Sequence, residues 1–246
     1  MKPEFYSDSQ SPVTFLIGGA GAGKTELSLN LSAWKINLFK KVSLIDLDIV
    51  NPFFRVRKLR EDMEKLGVNL ITPGKRVVNG DIPGLPGAAW GAVENPDNAV
   101  VCDIGGGEPG LRPLGRMAED ARKRNALVFF VINPFRPGFS TIEGIEENFS
   151  HLSELSAMKP DFLVANPNLS GSTDKDSFYE GLKLVEEFSK KSGVKIAFCV
   201  AENKLADELS GNKLNAPEFF QFSDRLIFAI NRYWDTPWHF GVNANH

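Results

Sequence analysis

VTFLIGGAGAGKTELSLNLS, residues 13–32, decides the fold. An apolar run of strand length is followed by Gly18-Gly19-Ala20-Gly21-Ala22-Gly23-Lys24-Thr25 and then by a helical pattern beginning near Glu26. This is GxxxxGK[ST] in the strand, loop, helix context that gives the motif its meaning. Small residues let backbone N–H groups wrap a phosphate, and the following helix points its partially positive N-terminus at the same place. Lys24 is placed to bridge β- and γ-phosphates, and Thr25 to put its hydroxyl on a magnesium ion. Gly19, Ala20, Gly21, Ala22, Gly23, Lys24, Thr25 and Glu26 are therefore the candidate nucleotide contacts on this side of the site.

Outward from this loop, short apolar runs recur at 13–18, 42–46, 68–71, 99–103, 126–132, 162–165 and 194–200. They are nearly continuous in Val, Ile, Leu and Phe, which marks strands covered on both faces. Helix candidates lie between and after them at 23–39, 53–66, 114–124, 140–157, 174–191 and 216–233. Strand and helix taking turns predicts an α/β fold, a doubly wound, mainly parallel sheet with helices on both faces. Right-handed crossovers would gather ligand loops at the carboxyl ends of the strands. One stretch breaks the rhythm: residues 73–98 interleave four prolines with glycines and read either as a binding loop or as a crossover with a short helical turn around 88–93.

Two strands end in carboxylates. LIDLDIVNPFFR places Asp46 and Asp48 at the end of the second strand, two apart and hence on the same side of an extended chain. Paired carboxylates repel unless a cation or a polarised water sits between them. VVCDIGGGEPG ends another buried run at Asp103, followed by three glycines, the layout of a strand that holds Mg²⁺ through water beside a loop free to swing toward a γ-phosphate.

The length of 246 residues, with 42% hydrophobic and 24% charged, predicts a single domain over 1–246, with tails at 1–11 and 236–246. A net charge of -3 with scattered basic residues predicts no nucleic-acid partner. No apolar run approaches the ~18 residues of a membrane span, and the aromatic C-terminus, broken by Pro237 and Gly241, predicts no membrane anchor. Cys102 and Cys199 lie far apart inside apolar runs and read as core residues; this usage, and a start with no export signal, predicts a cytoplasmic protein. His151, His239 and His246 form no ligand spacing.

The loop at 18–25 and the acidic strand ends together resemble the MinD/ParA/CobQ family of P-loop ATPases, within the SIMIBI class that also holds signal-recognition GTPases and nitrogenase iron protein. The resemblance runs over roughly residues 12–235. It implies ATP/ADP and Mg as cofactors, with Thr25, Asp46 and Asp103 as metal residues. It also implies Lys24 and Asp48 as the catalytic pair, Asp48 orienting the attacking water. In the family an asparagine ending a later strand reads adenine, and FLVANPNLS offers Asn166; Asn133 in VINPFRP competes for the role. The Asn-Lys-x-Asp run of guanine readers is absent, which favours ATP. Backbone carbonyls around Ala201 and Glu202, after the last strand, are a second base contact.

The chain departs from the family at one position. Sandwich-dimer members carry a second lysine early in the loop, where this chain has Gly19. Arg55, Arg57, Arg112 and Arg116 are candidates for meeting γ-phosphate charge in its place. The resemblance implies a slow ATPase switch acting on a protein partner or as a homodimer. The alternative is a ligase or kinase of the cobyrinic acid diamide synthase or dethiobiotin synthetase type that activates a carboxylate. A third reading is a binding module gated by nucleotide.

Overall fold

The structure is a computed structural model, and it describes residues 12–47, 56–72, 87–105 and 114–233. In chain order the elements are β1 (Val13–Ile17), α1 (Lys24–Lys35), β2 (Lys41–Asp46), α2 (Val56–Lys65), β3 (Val68–Ile71), α3 (Gly87–Glu94), β4 (Asn98–Asp103) and α4 (Leu114–Lys123). There follow β5 (Leu127–Ile132), α5 (Ile142–Ser156), β6 (Phe162–Ala165), α6 (Lys175–Ser192), β7 (Ile196–Glu202), α7 (Asn203–Ser210), β8 (Glu218–Phe222) and β9 (Arg225–Ile230). The strands form a single sheet in the order β3-β2-β4-β1-β5-β6-β7-β9-β8, parallel except for the antiparallel β8–β9 pair at one edge. This is the doubly wound α/β sheet that the alternating runs predict.

The order places the ligand crevice. From β1 the chain goes to β2 on one side, returns to β4 beside β1, and then crosses to β5 on the other side. Neighbouring loops therefore leave β4, β1 and β5 in opposite directions at their carboxyl ends, which is where open α/β sheets bind ligands. The loop at 18–25 sits in that gap.

Side-chain alternation splits the core into two layers. Phe15 and Ile17 of β1 face a layer with Ala89 of α3, Met117 of α4, Ile145 of α5 and Phe178 of α6, whereas Leu16 faces a layer with α1 and Met63 of α2. The second layer is aromatic toward the β7–β9 side. Phe219 stacks on Phe228 with ring centroids 4.3 Å apart, and Trp34 of α1 meets Phe219 edge-on at 4.9 Å. Truncating the buried Phe198 or Phe228 to Ala would cost about 3–5 kcal/mol.

Caps explain where the outer helices begin. Thr141 and Asp174 are extended residues whose side chains accept from the N–H of Gly144 and Ser177, so α5 and α6 start immediately after them. The hydrogen bonds from Ser177 hold the exposed Asp174 carboxyl below the usual carboxylate range.

One expected element is overturned. The helix predicted over 216–233 is the β8–β9 hairpin, with Ser223 at φ 55 in its tight turn. In EFFQFSDRLIFAI the aromatic and β-branched residues favour strands, and the Ser-Asp pair supplies a turn. β9 then lies against β7 as an interior strand, Ala201 opposite Ala229, and satisfies its backbone there. β7 is thus not the last strand. Within 73–98, the helical-turn reading corresponds to α3; residues 73–86 lie outside the described residues. Cys102 and Cys199 are free thiols in the core. Burial and the neighbouring Asp103 push the Cys102 thiol far up, and burial pushes Cys199 up to about 12, so neither is a ready nucleophile. Among the described residues no helix is long and apolar enough to cross a membrane.

Candidate functional site

The phosphate loop is fixed by the strands beneath it. Gly18 has φ 148, and a Cβ there would lie 2.4 Å from the Val131 carbonyl oxygen of β5. Only glycine lets β1 turn into the loop at this point. Gly23 precedes α1 with φ 87, and a Cβ there would lie 2.2 Å from Asn166 Nδ2. The loop thus turns tightly against the end of β6.

Lys24, the first residue of α1, is 6% exposed. Its Nζ donates to the carbonyls of Gly18 at 2.9 Å and Gly19 at 2.8 Å, which holds the ammonium inside the mouth of the loop. A cation at a helix N-terminus opposes the helix dipole, so these carbonyls offset an otherwise poor placement. Thr25 follows in the first turn, its backbone carbonyl accepting from Ser28 Oγ. Glu26 is half-buried, and its Oε1 accepts from the Tyr233 N–H just after β9. Asn30 continues that link: Nδ2 donates to the Asn231 carbonyl, and Oδ1 accepts from the Asn231 N–H, each at 2.8 Å.

The acidic strand ends come together beside the loop. β2 and β4 pair in parallel with Asp46 opposite Asp103, and the Leu47 N–H donates to the Asp103 carbonyl at 2.8 Å. Asp103 also stands opposite Leu16 of β1, two residues before the loop begins. With strands ~4.8 Å apart, Asp103 lies one strand and Asp46 two strands from the loop's own strand, at the same edge of the sheet. Asp103 is buried and Asp46 half-buried. Among the described residues no cluster of three or more His, Cys, Asp or Glu forms a metal cage. One or two carboxylates and a hydroxyl suit magnesium, which prefers to complete its shell with phosphate oxygens and water. The donor set present fits that ion. Asp48, Arg55, Gly106, Gly107, Gly110 and Arg112 lie outside the described residues, while Arg57 and Arg116 fall within α2 and α4.

The two candidate base-reading asparagines differ sharply. Asn133, just past β5, is fully engaged: Nδ2 donates to the Asn168 carbonyl at 2.9 Å, and Oδ1 accepts from the Phe135 N–H at 3.1 Å. Asn166, just past β6 and 3% exposed, donates through Nδ2 to the Ala22 carbonyl at 2.7 Å. Among the described residues its buried Oδ1 has no hydrogen-bond partner. An orphaned buried acceptor costs about 1–3 kcal/mol, so a ligand N–H at this point would relieve it. Ala201 lies within β7, whose carboxyl end is Glu202. There Asn168 Nδ2 donates to Glu202 Oε1 at 2.9 Å, tying the loop after β6 to the end of β7.

Arg136 is a residue at the loop that motif reading does not find. It lies in NPFRPGF after β5 and donates from Nε to the Gly21 carbonyl at 3.0 Å. Its signal in the sequence is positional only, since β5 is the strand next to β1.

A glycine-rich loop with a buried lysine, acidic strand ends beside it and a switch-point position together define a P-loop nucleotide-binding domain of the SIMIBI class. Residues 13–168 match the CobQ/CobB/MinD/ParA nucleotide binding domain, and the chain belongs to that family. Solved structures of similar fold include the cell division protein FtsY from Thermotoga maritima, at TM-score 0.50 and 16% identity over 77% of this chain and 61% of that one. The chloroplast FtsY from Physcomitrella patens is another, at TM-score 0.51 and 16% identity over 76% of this chain and 57% of that one. The chain thus spans about three fifths of the length of these structures, and the likeness is one of fold. No curated protein matches the sequence.

Proposed function

We propose that the chain is a Mg-dependent ATP-binding protein that hydrolyses ATP slowly, in the cytoplasm, as a nucleotide switch read by a protein partner or a second copy of itself. What carries the choice of ATP is Asn166. Its unpaired Oδ1 lies in a side chain that touches the phosphate loop at Ala22 and Gly23, and it accepts naturally from the exocyclic amine of adenine. Guanine offers a carbonyl at the same position, and two acceptors would face each other.

On this reading the backbone of Gly19 to Gly23 cradles the phosphates, and Glu26 helps place α1, whose N-terminus backs them. Lys24 supplies the charge that spans the β- and γ-phosphates. Thr25, Asp46 and Asp103 hold magnesium, which when bound neutralises charge developing on the phosphate oxygens. Ala201 and Glu202 border the base. Asp48 orients a water whose oxygen bonds to the γ-phosphorus while the bond to the bridging oxygen breaks, leaving ADP and phosphate. The loops after Asp46 and Asp103 are the elements that the γ-phosphate would order and its loss release.

Phosphate release from ATP and from GTP with Mg²⁺, followed alongside sedimentation with and without nucleotide, tests the reading. Slow turnover confined to ATP with a nucleotide-dependent change in size or partner binding is expected. Turnover of GTP in preference to ATP would overturn it.

A further inference from the structure

The turn after β5 reaches the phosphate loop from the side opposite the acidic strand ends, and it is built stiffly. Asn133 holds it through both ends of its amide. The Arg136 N–H donates to the Asn133 carbonyl at 3.1 Å, and the Phe139 N–H donates to the Arg136 carbonyl at 3.0 Å, giving two successive tight turns. Pro134 and Phe135 press on α6 at Gly181, where a Cβ would lie 2.8 Å from Pro134 Cγ and 3.1 Å from Phe135 Cζ. On this seat the Arg136 side chain lies along the loop. Nε bonds the Gly21 carbonyl, and a Cβ on Gly21 would lie 3.1 Å from Nε and 3.5 Å from Cζ. That one hydrogen bond uses Nε alone, and among the described residues the Nη groups of this half-buried residue have no partner. Three residues on, Phe139 fills the room over Gly19: a Cβ there would lie 2.2 Å from its ring. The same turn therefore closes the loop to a side chain at position 19 and brings a guanidinium to position 21.

A planar guanidinium whose Nη groups are unpaired among the described residues, fixed beside a phosphate loop, suits the two oxygens of a terminal phosphate. We infer that Arg136 is a γ-phosphate contact supplied in cis, whose Nη groups close on the terminal phosphate of a nucleoside triphosphate and let the site tell triphosphate from diphosphate. This rests on the reading of residues 18–25 as a nucleotide site.

The test compares the affinity of full-length protein for a non-hydrolysable ATP analogue and for ADP, both with Mg²⁺, in wild type, Arg136→Gln and Arg136→Lys. Gln keeps the stem and a donor for the Gly21 carbonyl while removing the charge. With Arg136→Gln, analogue affinity is expected to fall about tenfold to a hundredfold and ADP affinity to stay within about threefold, with Lys intermediate. An equal loss for both nucleotides would make Arg136 a brace for the loop and overturn the inference, as would no loss for either. Should Arg136→Gln fail to fold, the Lys variant decides by the same ratio. Wild type that binds neither nucleotide sinks the nucleotide reading and the inference together; wild type that binds both, with an unchanged ratio in the variants, sinks the inference alone.

Discussion

Helix α1 begins and ends with a buried lysine, and the two have opposite circumstances. Lys24, at the end where the helix dipole disfavours a cation, is held by the Gly18 and Gly19 carbonyls at the mouth of the loop. Lys35, at the end where the dipole favours a cation, is wholly buried, with its ammonium 5.4 Å from the Phe39 ring centroid. Desolvation, with Arg124 adding repulsion and Cys102 opposing it, lowers its pKa to about 7. On the proposed reading, a lysine held against carbonyls at a helix N-terminus serves an anion. Burying one in the interior sets a cost on stability that depends on pH. Burial alone does not mark a functional lysine; the groups that face it do.

This contrast breaks most readily at Lys24. Lys24→Ala is expected to weaken ATP binding at least about a hundredfold by titration calorimetry while leaving thermal stability near wild type. Asp48→Ala should separate binding from chemistry, with ATP affinity within about threefold of wild type and phosphate release reduced by about a hundredfold or more.

Lys35 should do the reverse. Its folded value lies below its unfolded value, so between about 7 and 10.5 the unfolded chain binds more protons, and stability rises with pH across that window. Lys35→Met is expected to raise unfolding stability by about 1–3 kcal/mol at pH 7, with the gain shrinking toward pH 10, and to leave ATP affinity unchanged. Urea unfolding at the two pH values checks it. A gain equal at both pH values would mean that packing, not charge, sets the effect.

The asparagines sharpen the same lesson at smaller scale. Asn166→Ala is expected to narrow the preference for ATP over GTP by about tenfold, read from paired binding titrations. Asn133→Ala should leave that preference intact and destabilise the fold by about 1–2 kcal/mol, because its amide holds the turn after β5.

Much of this was legible in the sequence. Gly18 to Thr25 has a chemistry that few other roles require, and continuous apolar runs ending in Asp46 and Asp103 mark interior strands whose carboxyl ends lie on one side of the sheet. What was not legible depends on partners distant in the chain. Residues 216–233 read as a helix because their pairing with β7 is not visible locally. The choice between Asn133 and Asn166 turns on contacts with Asn168 and Ala22, and Arg136 gains its meaning only from β5 lying beside β1. α7 is not legible because it starts directly at the end of β7, with no loop to announce it.

The most direct test of the central claim is a calorimetric titration of ATP with Mg²⁺ into wild type and Lys24→Ala. Saturable one-site binding to wild type, lost in the variant and weaker for GTP, is the predicted result. Equal binding by both proteins, or none by wild type, would contradict the assignment of the 18–25 loop as the nucleotide site.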